Sequence, residues 1–275
     1  MTSVQIGAAL AKSLFQSVGP AGATLLRVGL GALILLVLWR PKLHGYTWRN
    51  YRWAMLFGGV LAAMNFSFYQ ALDRIPLAVA VTLEFVGPLA VALLGSRRLI
   101  DLLWVTLAGA GIVLLAPTGL LGGAMLDPIG VGLALLAGVL WGSYILLSAQ
   151  VGRSFSGIAG LALALVVATV ILAPVGVIAA GSLLLNGHFL LVGAGVAVLS
   201  SVLPYSLELE ALRRLPPQVF GVLMSLEPGI AALVGLLLLH EQVGLRAAVA
   251  IALVIAASLG ATQLRKTVET APEAH

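Results

Sequence analysis

The chain contains no cysteine. That excludes a disulfide framework, a thiolate metal site and a catalytic thiol. Charge is scarce as well. Asp, Glu, Lys and Arg make up 9% of its 275 residues, against about 25% in an ordinary soluble domain. Histidine occurs only at His44, His188, His240 and His275, scattered over loops and ends. The sequence has no metal-ligand spacing, no Ser–His pairing and no phosphate-binding loop, so we expect no enzyme, no metal and no cofactor. The net charge of +5 does not point to nucleic acid. The basic residues sit in short gaps between apolar blocks, not along a binding stripe.

What is abundant is apolar surface, at 61% of residues with a mean hydropathy of +1.11. It falls into ten blocks, at 4–19, 20–39, 52–72, 76–96, 101–117, 128–149, 157–180, 187–211, 216–239 and 244–263. Most have the ~20 residues that cross a ~30 Å hydrocarbon core as a helix. The first holds Gln5, Lys12 and Gln16, lacks a basic leader, and ends in Ser17-Val18-Gly19-Pro20, a poor cleavage site. It therefore reads as a first membrane helix, not a signal peptide. The expected class is an all-α membrane protein of ten transmembrane helices.

Basic residues set the orientation. With the N-terminus inside, the inner segments hold Arg40, Lys42, Arg49, Arg52, Arg97, Arg98, Arg153, Arg213, Arg214, Arg265 and Lys266, and the outer loops hold Arg74 and Arg246. That asymmetry fits the positive-inside rule and predicts both termini in the cytoplasm, with 266–275 a disordered tail.

The chain also repeats itself. Gln70-Ala71-Leu72-Asp73-Arg74-Ile75-Pro76 matches Glu210-Ala211-Leu212-Arg213-Arg214-Leu215-Pro216 at an offset of 140 residues. The offset pairs Pro88 with Pro228, Gly95 with Gly235 and Asp101 with Glu241. It predicts one five-helix repeat over 1–122 and a second over 123–265. Five is odd, so the second copy is inverted in the membrane. Inverted repeats are a transporter architecture, with the site near the midplane between the halves.

Helices 4 and 9 carry the strongest site signals. Gly87-Pro88 follows Glu84, and Pro228-Gly229 follows Glu227. Each proline frees the carbonyl four residues earlier, here those of Glu84 and Met224. Gly87, Pro88, Pro228 and Gly229 are therefore candidate hinges. A carboxylate deep in a bilayer needs protein, water or a cation beside it. Lys12 and Arg27 are candidate partners, although Arg27 can also snorkel outward. A carboxylate in a low-dielectric cavity favours its protonated form, which makes Glu84 and Glu227 proton-coupling candidates. Lys12, Asn65, Tyr69, Glu84, Trp141, Tyr144 and Tyr205 are candidate substrate contacts. Trp141, Tyr144 and Ser148 share one helix face. Gly138 and Gly142 suit close helix packing. Glu208, Glu210, Arg213 and Arg214 read as interface charges, and Asp101 and Glu241 as caps of the helices they begin.

These residues carry a resemblance. The run from Tyr69 through Gln70-Ala71-Leu72-Asp73-Arg74-Ile75-Pro76 and Thr82-Leu83-Glu84-Phe85-Val86-Gly87-Pro88 to Ala92 is similar to the threonine and homoserine exporters. These exporters form a branch of the EamA-type drug/metabolite transporters. Gly7-Ala8-Ala9-Leu10-Ala11-Lys12, Leu26-Arg27 and Leu140-Trp141-Gly142-Ser143-Tyr144 fit the same pattern. The resemblance implies a secondary transporter of a bacterial-type inner membrane. It would export small amino acids or related metabolites by alternating access, as a proton-coupled antiporter. Export of amphipathic drugs is the alternative.

Overall fold

In the computed structural model, residues 1–42, 44–93, 99–115, 126–214, 224, 226–242 and 244–269 are described. All regular structure among them is helical, and it forms ten spans in the predicted places. Span 1 is α1 (Thr2–Lys12). Span 2 lies in α2 (Phe15–Trp39) and span 3 is α3 (Trp48–Leu72). Span 4 is split into α4 (Leu77–Glu84) and α5 (Val86–Leu93). Spans 5 to 7 are α6 (Leu99–Leu115), α7 (Pro128–Ser154) and α8 (Ala159–Ala180). Span 8 runs through α9 (Gly187–Ala197), a π-helical turn at Val198–Val202, and α10 (Leu203–Arg214). Spans 9 and 10 are α11 (Glu227–Leu238) and α12 (Leu245–Glu269). Five helical stretches are long and apolar enough to cross a membrane by themselves: Phe15–Trp39, Trp48–Leu72, Pro128–Ser154, Ala159–Leu185 and Gly187–Glu208. The remaining apolar helices are shorter.

Local sequence explains most boundaries. The first block is not one helix. α1 stops at Lys12, and a second break follows at Gly19, whose φ of 69° suits a residue without Cβ. Pro20 then starts span 2, where its missing N–H has no partner to lose. Thr47 caps α3 by accepting from the Asn50 amide, and Asp127 caps α7 by accepting from the Ile129 and Gly130 amides. Arg74 donates to Asp127 at 3.1 Å. With the two amides, it holds the Asp127 carboxyl below the usual carboxylate range.

The interior is built from small residues. Ala8, Ala11, Ala23, Ala54, Ala62, Ala71, Ala134, Ala137 and Ala168 are all buried, which lets helices approach closely. Large apolar side chains such as Ile178, Leu191, Leu237 and Val139 point outward. That is the reverse of a soluble protein and suits a lipid-facing surface. Span 3 packs on spans 6 and 7, and span 2 on spans 7 and 8. Span 4 packs on spans 6 and 9, span 1 on spans 8 and 9, and span 5 on span 10.

The bundle has two chemically different ends. At one, Tyr46 Oη and Ser156 Oγ are 2.9 Å apart, Asn50 Nδ2 donates to the Ser154 carbonyl, and Tyr46 packs on Phe155. At the other, Lys12 Nζ meets Glu241 Oε1 at 2.6 Å. The second carboxylate oxygen, Glu241 Oε2, accepts from the Leu77 amide at 2.8 Å. Glu241 is thus a cap, but of α4 and not of the helix that follows it. Both ion pairs found among the described residues, Lys12–Glu241 and Arg74–Asp127, lie at this second end. Glu241→Ala removes a half-buried ion pair and a cap together, each worth on the order of 1 kcal/mol. Lys12→Met removes only the ion pair. In thermal melts of purified protein we expect Glu241→Ala to lie below Lys12→Met, and both below the parent. Equal melting temperatures for the two variants would rule out the capping role.

Candidate functional site

A cavity of about 60 Å³ lies in the middle of the bundle. It has room for roughly four to six water-sized groups, the scale of a small polar solute. Spans 1, 2, 3, 4, 6, 8 and 9 all contribute to its wall.

Span 8 shapes it. Pro204 has no N–H, so the carbonyl of Ser200, four residues earlier, loses its helical donor. The chain responds with a π-helical turn, in which the Leu203 amide reaches back five residues to Val198. Arg27 takes the freed acceptor. Its Nη2 donates to the Ser200 carbonyl at 2.8 Å and its Nε to Ser201 Oγ at 3.2 Å. The guanidinium carbon lies 5.3 Å from the centre of the Tyr69 ring, a cation–π geometry. Arg27 is buried. It does not snorkel, because the bulge offers it hydrogen bonds in the interior.

The carboxylates surround this cation. Glu84 closes α4 and lines the cavity. The helix breaks at Phe85, since Pro88 removes the donor for the Glu84 carbonyl. That carbonyl rests against Gly138 of α7, where a Cβ would lie only 2.7 Å from it. At Gly87 a side chain would collide with the Gly138 carbonyl itself. Glu227 is the first residue of α11, with Pro228 in the first turn where the proline is tolerated. Residues 215–223 and 225, which precede it, lie outside the described residues, and so does the stretch where the sequence predicts a break in span 9. Gln5 Nε2 donates to Glu227 Oε1 at 3.3 Å. Gln5 Oε1, Glu227 Oε2 and Ser200 Oγ, all buried at the cavity, have no hydrogen-bond partner among the described residues. Buried polar atoms are rarely left so unless something else meets them.

The aromatic wall is formed by Phe68, Trp141, Tyr144 and Tyr205. Trp141 is edge-on to Phe85, and Tyr144 packs between Phe57 and Tyr205. Asn65 lines the same wall and donates back to the Leu61 carbonyl.

Of the residues the sequence nominates, the structure brings Asn65, Glu84, Trp141, Tyr144, Tyr205 and Glu227 to one cavity. Tyr69 stands behind Arg27, fully buried, and is not in the lining. Lys12 is away from the cavity on Glu241, so it makes no pair with Glu84. Ser148 bonds to the Ile145 carbonyl outside the cavity. Glu208 is not simply an interface charge, since it lines the cavity. The side chains of Asp101, Glu210, Arg213 and Arg214, and the tail from 270, lie outside the described residues. Gln5 and Ser200 were not nominated. The spacing of Ser200 from Pro204 was the signal for one of them.

Residues 128–263 match the model of the EamA-like transporter family. The chain is 44% identical over 263 residues to the threonine/homoserine exporter RhtA of Escherichia coli K12 and to that of Salmonella typhimurium LT2. Each alignment covers 95% of this chain and 88% of the relative. A crystal structure 22% identical in sequence superposes over 98% of this chain and 99% of its own, with a TM-score of 0.63. At that identity the likeness concerns the fold alone.

Proposed function

Since the chain belongs to the EamA-like transporter family, an integral membrane family and not an enzyme family, we propose that it exports small amino acids of the threonine and homoserine kind. The observation that carries this reading is the cavity. A buried, fixed guanidinium and a buried carboxylate with one unpartnered oxygen face a space of amino-acid scale. Arg27 offers its remaining donors to an α-carboxylate, and Glu227 with Gln5 accepts from an α-ammonium. Trp141, Tyr144 and Phe68 flank the side chain. An aromatic drug would use the same wall but leave the polar atoms orphaned, so the drug reading ranks second.

Transport proceeds by alternating access between two inverted five-span halves, 1–122 and 123–265. Packing supports the symmetry. Exchanging the first five spans for the last five turns the contact of span 3 with span 6 into that of span 8 with span 1. It likewise turns 4 with 6 into 9 with 1, and 3 with 7 into 8 with 2. Spans 2 with 7, 4 with 9 and 5 with 10 map onto themselves, and every one of these pairs is packed. Gly87 and Pro88 in one half, and Pro228 and Gly229 in the other, serve as hinges. Glu84 and Glu227 carry protons inward as the amino acid leaves. Both termini lie in the cytoplasm of an inner-membrane protein, which puts the Lys12–Glu241 end outside and closed in this conformation.

Counterflow in proteoliposomes, with a panel of labelled amino acids and with or without a pH gradient, tests this. We expect exchange of threonine and homoserine, accelerated by an opposing proton gradient and lost in Glu84→Gln. If no amino acid exchanges, the substrate reading fails. If exchange ignores the gradient, the coupling fails alone. If no amino acid exchanges while an amphipathic solute does, and Trp141→Ala abolishes that exchange where Glu84→Gln does not, the drug reading takes its place.

A further inference from the structure

Glu208 stands on α10 one turn after Tyr205, downstream of the π-helical turn, and both side chains line the cavity. The Glu227 carboxylate and the Met1 ammonium are close enough to feel its charge, and Tyr144 and Tyr205 lie beside it. Among the described residues no cation lies within ion-pair distance of it. Unlike Glu84 and Glu227, it is only half-buried. Glu208 is therefore reachable from solvent where Glu84 and Glu227 are closed off.

Among the described residues the cavity is lined by three carboxylates, Glu84, Glu208 and Glu227, and one guanidinium, Arg27, with the Met1 ammonium near Glu208 and Glu227. Part of that guanidinium is already committed to the Ser200 carbonyl, Ser201 Oγ and the Tyr69 face. Two of the three orphaned atoms lean the same way, Ser200 Oγ being able both to donate and to accept. Gln5 Oε1 and Glu227 Oε2 are acceptors, and both lack a donor. Charge and hydrogen-bond polarity agree that this space selects for N–H donors and against anions.

We propose that Glu208 is a specificity-determining residue of the transport cavity. It receives the protonated amine of the incoming solute at the mouth, and it makes the site discriminate against solutes whose amine is absent or blocked. The proposal rests on the export reading above and assigns one discriminating step within it. A surface charge that merely keeps α10 soluble at its end would not alter which solutes the cavity accepts.

Three unlabelled competitors separate the possibilities: threonine, its methyl ester, which is a cation, and N-acetylthreonine, which is an anion. Each is measured twice, by inhibition of labelled threonine counterflow and by the shift it produces in the melting temperature of detergent-solubilised protein. For the parent protein we expect ester and threonine to bind well and N-acetylthreonine poorly. In Glu208→Gln the two amine-bearing solutes should weaken by about tenfold, the worth of one charge-assisted hydrogen bond. N-acetylthreonine should be unchanged or improved. Glu208→Asp, which keeps the charge, should recover most of the preference and guards against a folding defect in the amide variant. An unchanged ratio of amine-bearing to blocked solute in Glu208→Gln overturns the proposal, as does a parent protein whose melt no competitor shifts. If the melts show the preference and its loss while no amino acid exchanges, the Glu208 assignment holds and the export reading alone fails.

Discussion

Gly87→Ala yields little folded protein. The backbone of α5 crosses that of α7 here with no side chain between them, and a methyl group on Gly87 would occupy the space of the Gly138 carbonyl. Overpacking a core costs about 1–3 kcal/mol when a flexible side chain can move aside. A helix carbonyl cannot move aside without dragging its turn, so the loss lies at the top of that range or above it. Gly138→Ala should behave similarly, because its Cβ would approach the Glu84 carbonyl to 2.7 Å. Gly142→Ala is the internal comparison. Its nearest neighbours, the Gly87 carbonyl and Val91 Cγ2, are both 3.3 Å away. The check is monodispersity and melting temperature of the solubilised variants. A Gly87→Ala protein that melts with the parent would mean the two helices do not cross at this distance.

Arg27→Lys is expected to fold and to lose exchange by about 100-fold, the scale of two hydrogen bonds from a buried charged donor. Lysine keeps the charge but not the planar fork, so it cannot hold the Ser200 carbonyl and Ser201 Oγ and still face the cavity. Ser201→Ala removes the single Nε contact and should cost about tenfold or less. Counterflow of threonine measures both, with melting temperature as the control for folding. Exchange by Arg27→Lys within threefold of the parent would show that a point charge suffices and that the anchored geometry has no role.

Part of this site could be read from the residues. Glu84 and Glu227 were visible because carboxylates in apolar blocks need a reason, and Trp141 and Tyr144 because helical spacing puts them on one face. The break in span 4 followed from Pro88. Partners were harder to see, because they depend on tertiary packing. Lys12 in an apolar helix looked like a cation for the cavity. Its partner is Glu241, 229 residues away, and only the folded chain brings them together. Arg27 was ambiguous for a related reason. Nothing local says whether a long basic side chain reaches for the headgroups or stays, and here a carbonyl freed on another helix decides it. Glu208 was misread through its neighbours. Two glutamates and two arginines within seven residues look like a solvated face, and only the π-helical turn upstream brings Glu208 to the cavity. The number and order of the helical spans were legible, since hydropathy is a local property and the bilayer thickness fixes its scale, but the early end of the first at Lys12 was not.

The π-helical turn in span 8 also has a meaning in angles. An α-helix advances about 100° per residue, so one residue in excess puts everything after Val202 out of phase with everything before it. Upstream, α9 presents its face to spans 1 and 2. Downstream, the same span turns Tyr205 and Glu208 to the cavity. Deleting a single residue in this turn would rotate them by about a quarter of a circle toward other neighbours, with no change in composition or hydropathy. The position of Pro204 thus keeps time for span 8, setting the beat on which its second half meets the solute.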